Sequence, residues 1–155
     1  MGGYGGTGMG PGMMGHSTGF DDYAKALRLI RAEKYAEAIP KLQSALARKP
    51  HNADILNYLG FTERMVGNFP LSLNYYQLAL KEDPDHKGAH EYLGELYLDM
   101  KNLNSANGQL AELVRLCPND CVERDTLTKA ITAYQASGTT PNQPAAAQPA
   151  AATQQ

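Results

Sequence analysis

One spacing constrains this chain more than any other feature. Tyr58, Leu59 and Gly60 recur as Tyr92, Leu93 and Gly94, 34 residues later, and Pro50, Pro84 and Pro118 keep the same interval. A period held jointly by apolar, glycine and proline positions marks stacked helical units, none of which buries its apolar face alone. The units run over about 19–52, 53–86 and 87–120, and a capping helix is expected over about 121–137. The expected class is therefore all-α, three helix-turn-helix repeats plus a cap.

Charge marks where this domain stops. All 14 basic and 16 acidic residues lie between Asp21 and Lys129. Residues 1–18 are dominated by Gly and Met, and residues 138–155 by Ala, Gln, Pro and Thr. Such segments have too few apolar side chains to offset chain entropy, so both are expected to be disordered tails. A net charge of −2 and a pI near 6.1 argue against a nucleic-acid partner, which calls for a basic face. No apolar run approaches the ~18–20 residues that cross a bilayer, so membrane insertion is not expected. The first residues lack a signal-peptide pattern, which leaves export open because a mature chain has lost its signal.

Within each unit the apolar residues keep a helical period. Tyr23, Ala26, Leu27 and Ile30 stripe the first helix, and Tyr35, Ala38, Ile39, Leu42, Ala45 and Leu46 the second. Pro40 falls near the start of that second helix, where a slight bend and no break is expected. Asn52 is placed to cap the third helix, which carries Ile55, Leu56, Leu59, Phe61 and Met65. Phe69, Leu73, Tyr76, Leu78, Ala79 and Leu80 form the fourth, with Pro70 in its first turn. Ala89, Tyr92, Leu93, Leu96 and Tyr97 form the fifth, and Leu103, Ala106, Leu110, Leu113, Val114 and Leu116 the sixth. Asp120 with Glu123 reads as a capping box opening a seventh helix with Val122, Leu127, Ala130, Ile131 and Tyr134, ended by Gly138.

These residues resemble the tetratricopeptide repeat. Its eighth position, small where two helices meet closely, reads Ala26, Gly60 and Gly94, and its twentieth reads Ala38, Ser72 and Ala106. Proline holds position 32 throughout. Position 4, usually a large aromatic, departs from the pattern as Asp22, Leu56 and His90, and position 7 is Lys25 in the first unit. The resemblance implies a right-handed superhelix and a non-catalytic scaffold or adaptor that holds a peptide or protein in a concave groove. By its pattern the groove is lined by Phe20, Tyr23, Leu27, Ile30 and Arg31, then Asp54, Asn57, Phe61, Arg64 and Met65, then Gly88, Glu91, Glu95, Leu98 and Asp99. Its far end is acidic: Glu91, Glu95 and Asp99 at i, i+4 and i+8 repel one another, which a basic ligand would relieve. Asn57 with Arg64 is only a fragment of the family's clamp for chaperone tails.

Cys117 and Cys121 stand four apart across a helix end, where a disulfide is geometrically open. A bond there pins the third repeat to the cap and points to an oxidising compartment. Free thiols or a redox pair are the alternatives. The run Ala89–Tyr97 with Cys117-Pro118-Asn119-Asp120-Cys121 also resembles small exported bacterial members of the family, so a periplasmic or exported protein is expected, with the cytoplasm as the alternative. His90-Glu91 lacks the second histidine of a zinc-protease helix, since Gly94 stands in its place. His86 and His90 are four apart but have no evident third ligand. Met9, Met13, Met14 and His16, with Met1, are soft groups that suit Cu(I), which gives a copper-handling protein as an alternative function. Self-assembly into homo-oligomers is a third reading. No nucleophile–base arrangement or phosphate loop argues for an enzyme.

Overall fold

The computed structural model of the protein describes residues 19–138. The expectation of disorder in the two charge-free segments falls on residues outside that range. Among the described residues seven helices follow one another: α1 (Gly19–Arg31), α2 (Tyr35–Arg48), α3 (Ala53–Met65), α4 (Phe69–Glu82), α5 (Lys87–Asp99), α6 (Leu103–Leu116) and α7 (Val122–Ala136). Among the described residues there is no strand, and no helix is long and apolar enough to cross a membrane. Pro40 lies inside α2 without ending it.

The repeat is written most exactly in the turns. Glu33, Gly67 and Lys101 stand 34 apart, and each follows an inner helix with a positive φ, at 57°, 84° and 58°. Asn68 N–H reaches back to Glu63 O and Gly67 N–H to Arg64 O. Lys34 with Glu33, and Asn102 with Lys101, repeat both bonds, so all three turns are Schellman caps that satisfy carbonyls a helix end leaves open. Only the second repeat has glycine at the left-handed position; the other two bear a side chain there at a steric cost.

Packing runs strictly between neighbours. Ala26, Leu42, Ala45, Ile55 and Leu59 join α1, α2 and α3, whereas Leu98, Leu103, Ala106, Leu113, Leu127 and Ile131 join α5, α6 and α7. Tyr76 with Leu93 and Leu96 links α4 to α5. No single centre exists, as a solenoid requires. Burying each such leucine contributes about 1.5–3 kcal/mol. The position-4 departures are buried as well: Asp22, Leu56 and His90 are 4%, 3% and 6% exposed. Ser44 Oγ donates to Asp22 Oδ2 at 2.7 Å, and His90 Nε2 donates to the Pro84 carbonyl at 2.9 Å while Nδ1 meets the Gln109 carboxamide at 2.8 Å. Polar side chains thus occupy an aromatic's place by bonding to the neighbouring helix and loop.

Several expectations need correction. Asp120 does not cap α7; it takes φ 45°, and the Cys121 sulfur accepts from Arg124 N–H at 3.4 Å. Met65, Val114 and Val122 are apolar by type but 44%, 51% and 75% exposed, because each sits at the margin of its helix's packed stripe. Gly60 meets its own repeat's α4, where a Cβ would stand 2.6 Å from the Tyr76 ring; Gly94 instead meets Leu127 of α7 at 2.5 Å.

These contacts fix opposite signs for two glycine exchanges. Glu33→Gly should raise stability by about 0.5–1 kcal/mol in urea unfolding, because glycine removes the left-handed strain. Gly60→Ala should lower it by about 1–3 kcal/mol, because the Tyr76 ring is fully buried and has no room to move.

Candidate functional site

The odd-numbered helices form one wall. Tyr23 of α1 meets Tyr58 of α3 edge-on at 6.2 Å; α3 touches α5, and α5 touches α7. The even-numbered helices stand outside, each packed between its own partner and the next odd helix. Along the inner wall runs a line of half-buried rings. Phe61 lies 5.7 Å from Tyr35 and 5.1 Å from Tyr92, and Tyr92 lies 6.4 Å from the buried Tyr76. Burial, then Tyr58 and Asp54, push the Tyr23 phenol up to about 12, so it stays a hydrogen-bond donor at neutral pH. Burial, followed by the Glu91 charge, raises Tyr92 also.

Of the residues expected in the groove, Tyr23, Leu27, Ile30 and Phe61 are half-buried on this wall, with Ile30 packed onto the first core cluster. Asn57 is 5% exposed and its carboxamide oxygen has no hydrogen-bond partner. The Phe20 side chain falls outside the described set. Tyr35, Tyr58 and Tyr92 complete the aromatic line and were missed by the groove pattern. Tyr58 and Tyr92 carry the 34-residue period itself, which was a signal that these rings are structurally equivalent.

The acidic end is not a bare column. Arg64 of α3 reaches across to α5, with Nε 2.6 Å from Asp99 Oδ2 and Nη1 2.5 Å from Glu95 Oε2. Burial alone would lower its guanidinium; the bonds and charges of Asp99 and Glu95 outweigh that and hold it above its ordinary value. Two of the three carboxylates are therefore answered from within the protein. Glu91 differs. Burial, then the charges of Glu95 and Glu123, push its carboxyl up to about 7. Beside Arg64, α7 supplies Ala130 and Tyr134 to a hollow of about 290 Å³ that Glu95, Leu98 and Asp99 also line. The seventh helix is thus a wall of the groove as well as a cap. The buried Tyr134 hydroxyl has no partner. A second, apolar hollow of about 500 Å³ opens on the outer face, lined by Leu46, Pro50, Leu56 and Leu78.

His51, His86 and His90 all make hydrogen bonds within the fold. His86 Nδ1 accepts from Ala89 N–H at 3.0 Å, capping α5, so Nε2 carries the proton it donates to Asp54 Oδ1 at 3.0 Å. Among the described residues no group of three or more His, Cys, Asp or Glu is arranged to hold a metal. Met9, Met13, Met14 and His16 lie outside the described residues. Cys117 and Cys121 form a disulfide with Cα atoms 5.6 Å apart. Arg124 Nη1 donates to the Cys117 and Pro118 carbonyls, tying the same loop to α7.

A family model described as tetratricopeptide repeat matches residues 23–60 and 66–120. A comparison with curated protein sequences returned no match. Among solved structures, the fold is similar to the first such domain of Spaghetti (RPAP3) bound to an HSP90 peptide, with TM-score 0.68, 16% identity, and 79% of this chain and 94% of that one covered. It is similar to the Sgt2 domain of Aspergillus fumigatus, with TM-score 0.69, 18% identity and coverage of 86% and 90%. The type III secretion translocator chaperone SycD of Yersinia enterocolitica aligns with TM-score 0.70, 16% identity and coverage of 81% and 98%.

Arg64 ties α3 to α5 with two charged bonds, so Arg64→Ala should destabilise the protein by about 1.5–3 kcal/mol. Arg64→Lys should recover little, since one ammonium lacks the fork that spans both acids. Guanidinium unfolding curves of the two variants decide this.

Proposed function

Because the chain belongs to the tetratricopeptide repeat family, we propose that it is a non-catalytic adaptor holding an extended peptide or protein segment along its inner wall. The observation that carries this reading is the line of half-buried rings Tyr23, Tyr58, Phe61 and Tyr92 across three successive inner helices. Half-buried aromatics on a rigid wall offer large apolar area at little entropic cost. One solved relative was determined with the HSP90 peptide SRMEEVD. An acidic tail of that kind suits this groove poorly, because Arg64 is already taken by Glu95 and Asp99. Glu91, crowded by two like charges, favours a segment with a Lys or Arg side chain at that point. The disulfide supports a periplasmic or exported setting for the complex.

Peptides selected from a displayed random library test the reading. Phe61→Ala should weaken the selected peptides at least about fivefold, the loss of one aromatic anchor. A selection whose products bind wild type and Phe61→Ala alike would place the contact elsewhere. Lys-containing peptides should bind more tightly as pH rises from 6 to 8, while Glu91 loses its proton, and Glu91→Gln should flatten that rise.

The same carboxyl sets a stability trend. Its folded value, near 7, lies above the ~4.3 of an unfolded chain, so ionisation opposes folding, and the penalty grows as pH rises from about 4.3 to 7. Glu91→Gln should therefore stabilise the free protein at pH 8 and do less at pH 4.5, read from thermal midpoints.

A further inference from the structure

We propose that residues 139–155 of this chain are themselves a ligand of the aromatic groove, competing there with any partner. The inference rests on the groove reading above and adds its occupant in the free protein.

Position comes first. The last turn of α7 closes with Ser137 N–H on Ala133 O, and Gly138 takes φ 71°, so the chain leaves the helix there. Tyr134, one turn earlier, lines the hollow shared with Arg64, Glu95 and Asp99. The segment after Gly138 thus starts at the α7 end of the inner wall. Seventeen residues can span at most roughly 50 Å at ~3.1 Å per residue, whereas three adjacent helix spacings of ~8–10 Å cover roughly 25–30 Å. The reach is sufficient.

Chemistry comes second. Pro141-Asn142-Gln143-Pro144 is a P-x-x-P sequence, and Pro149 follows among alanines. A polyproline helix has three residues per turn, so P-x-x-P spacing is the pattern that puts two prolines on one face and that aromatic-lined grooves receive. Such a helix has no internal hydrogen bonds and presents its carbonyls outward. Tyrosine hydroxyls are the complementary donors, and Tyr23, Tyr35, Tyr58 and Tyr92 all belong to the aromatic line. Residues 139–155 contain no Asp or Glu, so they bring no anion against Glu91, Glu95 and Asp99. The intervening alanines add little bulk between ring contacts.

Tethering supplies the affinity. A covalently attached ligand has an effective concentration on the order of 1 mM, so weak intrinsic affinity is enough for it to compete with a free partner.

Amide NMR spectra of the full chain and of a chain ending at Gly138 provide the test, since every described helix lies within 19–138. Signals of Phe61, Tyr92, Glu95 and Tyr134 should differ between the two. A synthetic peptide of residues 139–155, added to the shortened chain, should move them toward the full-chain positions. Pro141→Ala with Pro144→Ala in the full chain should move them the other way. The peptide should bind the shortened chain about two- to tenfold more tightly than the full chain, which carries its own competitor. Spectra that coincide beyond the last turn of α7 would overturn the proposal. So would shifts centred on Leu46, Leu56 and Leu78, or shifts that vanish on dilution, which would mean a second copy's segment. If library peptides bind and are lost with Phe61→Ala while residues 139–155 change nothing, the self-ligand falls and the groove stands. If neither binds, both fall.

Discussion

The contact between Gly60 and Tyr76 organises more of this molecule than any other. Without a side chain at Gly60, the Tyr76 ring lies against the α3 backbone and is fully buried. On the same side, Ser72 Oγ donates to the Gly60 carbonyl at 2.7 Å, so α3 and α4 are held by both shape and a hydrogen bond. Tyr76 then touches Tyr92, Tyr92 touches Phe61, and Phe61 touches Tyr35. A core contact therefore sets the place of the rings that line the groove. In an interior packed to crystal density, a shift of the buried ring carries into the exposed ones. Fold and candidate site share one mechanical element.

Electrostatics divides the groove along its length. Arg64 reaches from the second repeat into the third and pairs with Glu95 and Asp99, leaving Glu91 outside both ion pairs. With side-chain exposures of 15% for Arg64 and 21% for Glu95, that pairing is partly shielded from water and specifies how the two repeats register. Glu91 is left crowded by its own side's charges. One residue at that end is thus poised near neutrality, while the aromatic end keeps its character across the pH range.

Local features were readable in the sequence; contacts between units were not. The period placed α1 to α6 and apolar spacing placed α7, because turn chemistry and apolar spacing are decided within a few residues. Gly67 is the residue type that a left-handed turn favours, but Glu33 and Lys101 hold the same conformation without a glycine to announce it. The α7 cap was misassigned because Asp120 and Cys121 are both capable acceptors, and the disulfide loop decides which one faces Arg124. Gly94 follows the family's spacing, yet its neighbour is Leu127, since the third repeat must meet a helix that lies outside the period. Arg64 was legible as a groove residue, but its partners lie 31 and 35 positions away and depend on how the repeats wind. Buried Asp22 and His90 look like errors in the pattern until Ser44 and Gln109 are seen beside them.

The seventh helix joins these points. It covers the last apolar surface through Leu127 and Ile131, as a terminal helix of an array must. It also walls the hollow beside Arg64 through Ala130 and Tyr134. Its start is fixed by the Cys117–Cys121 bond and by Arg124 bonding the Cys117 and Pro118 carbonyls. Anchoring at one end and groove-building at the other are properties of one rigid rod, so the covalent tie acts on the site from a full helix length away. Fastening the helix start at the Cys117–Cys121 loop therefore also helps to fix where Ala130 and Tyr134 stand on the wall of the candidate site.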